Sequence, residues 1–97
     1  MGIIWTTRAK TEIGDTIKYW NKKNGSNTYS QKLNNKTKEI LSLIKENPYI
    51  GEEIEHTESI RRVLVLLNYS IFYMIKENNI YLLSFWDNRR DPENLNL

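Results

Sequence analysis

Apolar positions change their period along the chain. Ile3-Ile4-Trp5 is a short apolar run that predicts a first strand. Ala9, Ile13, Ile17 and Trp20 then recur at spacings of four, four and three, one face of a helix. Thr6 or Thr7 is placed to cap its start. Asn24-Gly25-Ser26 ends it, with Gly25 suited to the left-handed residue that follows a helix. Ser26 or Asn27 can cap a second helix, whose stripe is Tyr29, Leu33, Thr37, Ile40, Leu41 and Ile44. Asn47-Pro48 stops it, because the residue before proline avoids helical geometry. Two helices joined by so short a turn make an antiparallel hairpin.

Tyr49 to Ser59 is a polar, acidic connection containing Gly51. After it the pattern becomes strand-like. Ile60 to Leu67, Tyr69 to Lys76 and Ile80 to Trp86 are rich in β-branched and aromatic residues. Asn68 marks one turn and Glu77-Asn78-Asn79 the next, which predicts a meander. Pro92 and the polar residues after it predict a loose tail. The order is therefore β-α-α-β-β-β, an α+β domain spanning residues 1–97. A helical hairpin packs on one face of a mostly antiparallel four-stranded sheet that includes the first strand. The strands are apolar on both faces: Val63, Val65 and Leu67 alternate with Leu64 and Leu66, and Ile71, Tyr73 and Ile75 with Phe72 and Met74. Two helices cover only one face. The second face predicts cover by the tail or by another chain.

Composition narrows the chemistry. The chain has 97 residues, no cysteine and one histidine, which leaves no thiolate or His-rich metal site. This favours a cytoplasmic protein without a cofactor or structural metal. No apolar stretch is long enough for a membrane span, and no charged start followed by an apolar segment suggests a signal peptide. Met1-Gly2 formally opens a myristoylation pattern, but Ile3-Ile4-Trp5 reads better as a strand. The formal net charge is only +2, a weak argument for nucleic acid. Glu52, Glu53, Glu55 and Glu58 crowd one segment, so the rest of the chain is more basic than its total.

Five pieces in order resemble the RelE/ParE superfamily of type II toxin–antitoxin toxins. They are Trp5-Thr6-Thr7-Arg8-Ala9, Asn47-Pro48-Tyr49-Ile50-Gly51, Arg61-Arg62, "YSIFYMI" at 69–75 and "SFWDNRRDP" at 84–92. The resemblance covers nearly the whole chain. It implies a growth-inhibiting toxin neutralised by a cognate antitoxin and tied to plasmid stabilization. An antitoxin wrapped around the toxin would also cover the second apolar face. RelE-like members cut mRNA in the ribosomal A site, whereas ParE-like members poison DNA gyrase.

Metal-independent RNA cleavage needs a base for the 2′-hydroxyl, cations for the phosphorane and an acid for the leaving oxygen. Arg61, Arg62, Arg89 and Arg90 are candidate cations, since arginine binds phosphate bidentately. Antiparallel pairing can bring their strand ends together. Successive residues point to opposite faces, so one of Arg61 and Arg62 at most faces a common site. Their bland reading is pairing with the glutamates at 52–58 or with Asp87 and Asp91. RelE-like enzymes that use a His place it near the end of the last strand, or use a Tyr near the C-terminus. Here the matching position is Asp87, and the tail has no Tyr. His56 reads as an exposed loop residue. Tyr73 would need strong tuning, because tyrosine ordinarily titrates near 10. Asp87 beside arginines is pushed toward its ionised form, so orienting Arg61, Arg89 or a backbone amide suits it better. Lys36, Lys38 and Lys45 read as a solvated helix face. Trp20 and Tyr29 read as core, whereas Trp86, at a strand end, is the best candidate for stacking on a base. A ParE-like gyrase poison is the first reading, and a ribosome-dependent mRNA endonuclease the second. A non-toxic module that only binds an antitoxin is the third.

Overall fold

The computed structural model describes every residue except Glu58, so that member of the acidic segment lies outside the described residues. The elements are β1 (Gly2–Trp5), α1 (Thr7–Asn24), α2 (Thr28–Glu46), β2 (Glu52–Glu53), β3 (Ile60–Val65), β4 (Tyr69–Lys76) and β5 (Asn79–Asp87). A short 3-10 turn, Pro92–Asn94, follows. The fold is α+β. The sheet has five strands, not the expected four, in the order β1-β5-β4-β3-β2. The added strand is β2, whose two glutamates pair with Arg62 and Arg61. Both are exposed and charged, so they carry no apolar alternation to announce a strand. β1 joins β5 in parallel, and the other pairings are antiparallel.

The helix ends follow their caps. Thr6 is the N-cap of α1: its Oγ1 accepts from the Ala9 N–H and donates to the Leu82 carbonyl at 2.7 Å. One threonine thus starts α1 and ties it to β5. Gly25, at φ 62°, ends the helix in the left-handed region. Asn27 occupies the cap position of α2 without a side-chain cap bond. β3 stops at Val65, two residues before the predicted end, because Leu66 turns to φ 60°. Glu77 and Asn78 both have positive φ, which closes the β4–β5 hairpin in two residues and leaves Asn79 in β5.

β1 accompanies β5 only as far as Leu82. Beyond it β5 bulges: Tyr73 opposes Leu82 and Phe72 opposes Ser84, which leaves Leu83 as the extra residue. α1 then takes over that edge. The Glu12 carboxylate accepts from Ser84 Oγ at 2.8 Å and from the Phe85 N–H at 3.3 Å, and pairs with Arg8 on its own helix. Arg8 also donates to the carbonyls of Leu95 and Asn96, so the tail is held against α1 rather than loose.

The core lies between the hairpin and one face of the sheet. Ala9, Leu33 and Ile44 from the helices meet Val65, Tyr69, Ile71, Tyr73, Ile80, Leu82 and Phe85. Ile3 and Trp5 pack on its margin, as the register of β1 against β5 requires. The opposite face is also apolar. Ser70, Phe72 and Trp86 are buried there, and Arg90 lies on the Trp86 ring at 4.6 Å. Ile4 and Leu64 stay exposed.

Gly51 sits where the chain leaves α2 and passes under β4. A Cβ there would lie 2.7 Å from Tyr73 Oη and 3.0 Å from the Arg61 Cβ, whereas one on Gly14, inside α1, would meet nothing within 4 Å. Gly51→Ala is therefore expected to cost about 1–3 kcal/mol. Gly14→Ala should stabilise by roughly 0.5–1 kcal/mol, since glycine weakens a helix interior. Urea midpoints at unchanged slope measure both. Equal effects would contradict the close packing at Gly51.

Candidate functional site

The candidate residues fall into three clusters, not one. β3 and β5 both run antiparallel to β4, so they run parallel to each other. The start of β3 therefore lies opposite the far end of β4 from the end of β5: Arg61 pairs with Tyr73, and Asp87 with Tyr69. Four residues of strand, roughly 13 Å, separate these positions. The expectation that pairing brings the two arginine pairs together is corrected by this topology for Arg61, whereas the Arg62 side chain reaches along the sheet to Ser70 and, through it, to Asn88 beside Arg89.

The first cluster closes the hairpin. The Arg61 guanidinium donates to the carbonyls of Tyr49 at 3.2 Å and Gly51 at 2.8 Å, and lies over the Tyr49 ring. Tyr73, from the neighbouring strand, is fully buried. Its hydroxyl donates to the Pro48 carbonyl at 2.7 Å and accepts from the Gly51 N–H at 2.9 Å. Burial pushes its pKa up, against the bond from Gly51 and the charge of Arg61. Both bonding capacities of this hydroxyl are spent on the backbone.

Arg62 points to the other face. Its Nε donates to Ser70 Oγ at 2.9 Å, and Ser70 donates in turn to Asn88 Oδ1 at 2.9 Å. Nη1 stands 3.9 Å from the exposed Glu52 carboxylate, a loose surface pair. Ser70 Oγ thus accepts from Arg62 and donates to Asn88, whose enclosed Nδ2 has no hydrogen-bond partner.

The third cluster ends β5. Asp87 receives a two-pronged guanidinium bond from Arg89, with Nε and Nη2 each at 2.9 Å, and also the Arg89 N–H. The Arg89 bond holds the Asp87 carboxyl below its ordinary range, and the same bond raises the arginine. Tyr69 lies beneath: its hydroxyl accepts from Trp20 Nε1 at 2.8 Å, and burial raises its pKa. A cavity of about 370 Å³ opens here between α1 and the strand end, lined by Glu12, Asp15, Tyr19, Tyr69, Asp87 and Arg90 among others. Arg90 is exposed and has no ion pair among the described residues.

Trp86 is buried under Arg90, so it offers no open ring to a base, contrary to the stacking expectation. Trp20 and Tyr29 pack with tilted rings, centroids 4.6 Å apart, and join the two helices. Lys36 pairs with Glu39, and Lys38 and Lys45 are exposed. His56 is an exposed loop residue at φ 62°. Among the described residues no three His, Asp or Glu side chains gather as a metal site. Ser70, Asn88 and Glu12 escaped the sequence reading. Ser70 alone left a trace there, as a small polar residue inside an apolar strand.

The network has a pH signature. Asp87 titrates low in the fold, so its contribution is full above the ordinary carboxylate range near 4 and is lost as pH falls through its folded value. Tyr69 and Tyr73 titrate high, so theirs is full below about 10 and is lost as pH rises through their folded values. Asp87→Asn is expected to flatten the acid limb of the stability profile and leave the alkaline limb intact. Tyr73→Phe should cost about 1–3 kcal/mol by stranding Gly51 N–H and the Pro48 carbonyl. Thermal unfolding followed from pH 2 to 11 measures both; an unchanged acid limb in Asp87→Asn would remove the assignment.

No described helix is long and apolar enough to cross a membrane. No curated protein matches the chain. A family model described as the ParE toxin of a type II toxin–antitoxin system, parDE, matches residues 3–92. With the helical hairpin, the five-stranded sheet and almost the whole length accounted for, this chain belongs to the ParE toxin family.

Proposed function

We propose that the chain inhibits growth by binding its target rather than by cutting RNA, as a ParE-like poison of DNA gyrase held inactive by a cognate antitoxin. One observation carries this reading: among the described residues, neither Tyr73 nor Asp87, the acid and base candidates read from the sequence beside the arginines, is free to move a proton. The Tyr73 hydroxyl is buried and bonded twice to backbone. Asp87 is locked to Arg89 and kept ionised. His56 lies in the connection before β3. Proton transfer to and from a ribose needs a group within hydrogen-bond reach and with a suitable pKa. Family membership supports the antitoxin as partner. Action on gyrase fits a cytoplasmic protein and is compatible with a role in plasmid stabilization.

Of the four candidate arginines Arg90 is the one left for the target: it carries no ion pair among the described residues, and Arg61, which also has none, is held by the carbonyls of Tyr49 and Gly51. The test incubates purified protein with gyrase and plasmid DNA, and separately with a translating ribosome and a defined mRNA. Inhibited supercoiling or trapped double-strand breaks, with the message uncut, is the expected result. Arg90→Glu should weaken the inhibition by at least about tenfold while the fold persists. New RNA 5′ ends that need the ribosome would replace this reading with the endonuclease. Activity in neither assay, with growth unaffected on induction, would leave an inert antitoxin-binding module.

A further inference from the structure

The small net charge of the chain hides an uneven division. The helical hairpin, residues 7–46, carries nine Lys and Arg against four Asp and Glu, and the rest of the chain carries five against eight. Residues 16–38 take in the second half of α1, the bend and the first half of α2. They hold six lysines and no acid.

The acids of the hairpin are turned to other work. Glu12 serves Ser84, Phe85 and Arg8. Asp15 lines the cavity at the end of β5. Glu39 pairs with Lys36, and Glu46 ends α2 far from the bend. Arg8 is likewise held, by Glu12 and by the tail carbonyls. The lysines are not. Lys10, Lys18, Lys22, Lys23 and Lys38 are exposed, and none has a carboxylate partner among the described residues. Lys18 and Lys22 stand one helical turn apart, where like charges repel. Lys23 is carried over the rings of Tyr19 and Trp20, at 5.6 and 5.1 Å. Ser30 of α2 reaches the Ile17 carbonyl and the Asn21 side chain, so the start of α2 runs beside this stretch of α1. The exposed residues between the lysines are amides and hydroxyls, among them Asn24, Ser26, Asn27, Thr28 and Gln31.

We propose that the bend half of the hairpin binds the phosphate backbone of duplex DNA without reading its sequence. A partner with regularly spaced negative charge relieves the repulsion that the fold leaves uncompensated. Lysine meets phosphate as a point charge, and amide and hydroxyl groups donate to phosphate oxygens. From Lys10 to Lys22 the helix rises roughly 18 Å, the length of about five phosphates along one strand. No arginine is free on this surface to read guanine. A membrane suits it less, because binding there needs an apolar face beside the lysines, and Ala9, Ile13, Leu33 and Ile40 pack in or against the core. An acidic protein suits it less too, since a specific seat needs apolar anchors. The proposal does not rest on gyrase as the target. On a gyrase poison, the same surface would hold the toxin to the DNA that the enzyme handles.

The test titrates the full chain into a short labelled duplex of mixed sequence and follows anisotropy at several salt concentrations. The expected result is binding that weakens with salt, log K falling against log salt with a slope of about −4. Lys18→Glu and Lys22→Glu should each weaken it by about tenfold at low salt and make the slope shallower by about one. Lys76→Glu makes the same charge change on an exposed residue at the end of β4 and should stay within about twofold of the wild type. Circular dichroism checks that each variant is folded. No binding at low salt would overturn the proposal. Equal losses in Lys22→Glu and Lys76→Glu would also overturn it, because net charge alone would then account for binding. A polyglutamate peptide that competes as well as unlabelled duplex would give the surface to an acidic protein and overturn it. Tighter binding to anionic lipid vesicles than to duplex would give it to a membrane, with the same consequence. None of these outcomes involves gyrase, so a failure of the gyrase reading leaves the DNA surface standing.

Discussion

The buried hydroxyl of Tyr73 is the joint on which the arrangement turns. The chain must leave α2, pass the sheet and come back as β3. At the point of passage, Pro48 offers a carbonyl and Gly51 an N–H with no helix or strand to satisfy them. Tyr73 Oη takes both, at 2.7 and 2.9 Å. A buried polar group left unpaired costs more than a made bond gains. The hydroxyl therefore selects one seat for this loop. Gly51 is required there by space, since its own φ is not in the left-handed region. Arg61 seals the same loop from beside Tyr73. At the other end of β4, Trp20 reaches the Tyr69 hydroxyl and docks the free end of the hairpin.

Much of this was legible in the sequence. Strands with dense β-branched and aromatic residues were read within a residue or two, because burial on one or both faces leaves a period that polar substitutions would break. The caps at Thr6 and Gly25 were legible because each uses local geometry. What escaped depends on contacts distant along the chain. β2 is two exposed glutamates and has no pattern of its own. The bulge at Leu83 follows from β1 ending at Leu82 and α1 taking over the edge, a fact of packing. Glu12 looked like any polar helix position, although it serves Ser84 and Phe85 across the fold.

The candidate site was harder to read for a related reason. Residue type pointed to four arginines and to Asp87, and each is at or near a strand end. Whether strand ends meet depends on the order of strands. With β4 between β3 and β5, Arg61 sits at the opposite end of β4 from Arg89 and Arg90, and only the Arg62 side chain reaches back toward them. Topology also separates Arg61 from Arg62 by face, and gives each a different duty. Arg61 holds backbone, and Arg62 anchors the Ser70–Asn88 relay. Arg89 is bound to Asp87, which leaves Arg90 as the cation most open to a target. Contacts within the fold thus occupy three of the four arginines that residue type alone would have assigned to function.

The open edge of β3 follows from the same joint. Once Tyr73 holds Gly51 against β4, the returning chain enters beside Arg61 and Arg62 and turns away after Ile54. β2 cannot extend along Leu64 without breaking that anchor. The edge is therefore left open by the way the hairpin is fastened, although the core beneath it is already complete: Leu33, Ile44, Val65 and Ile71 are buried without any partner.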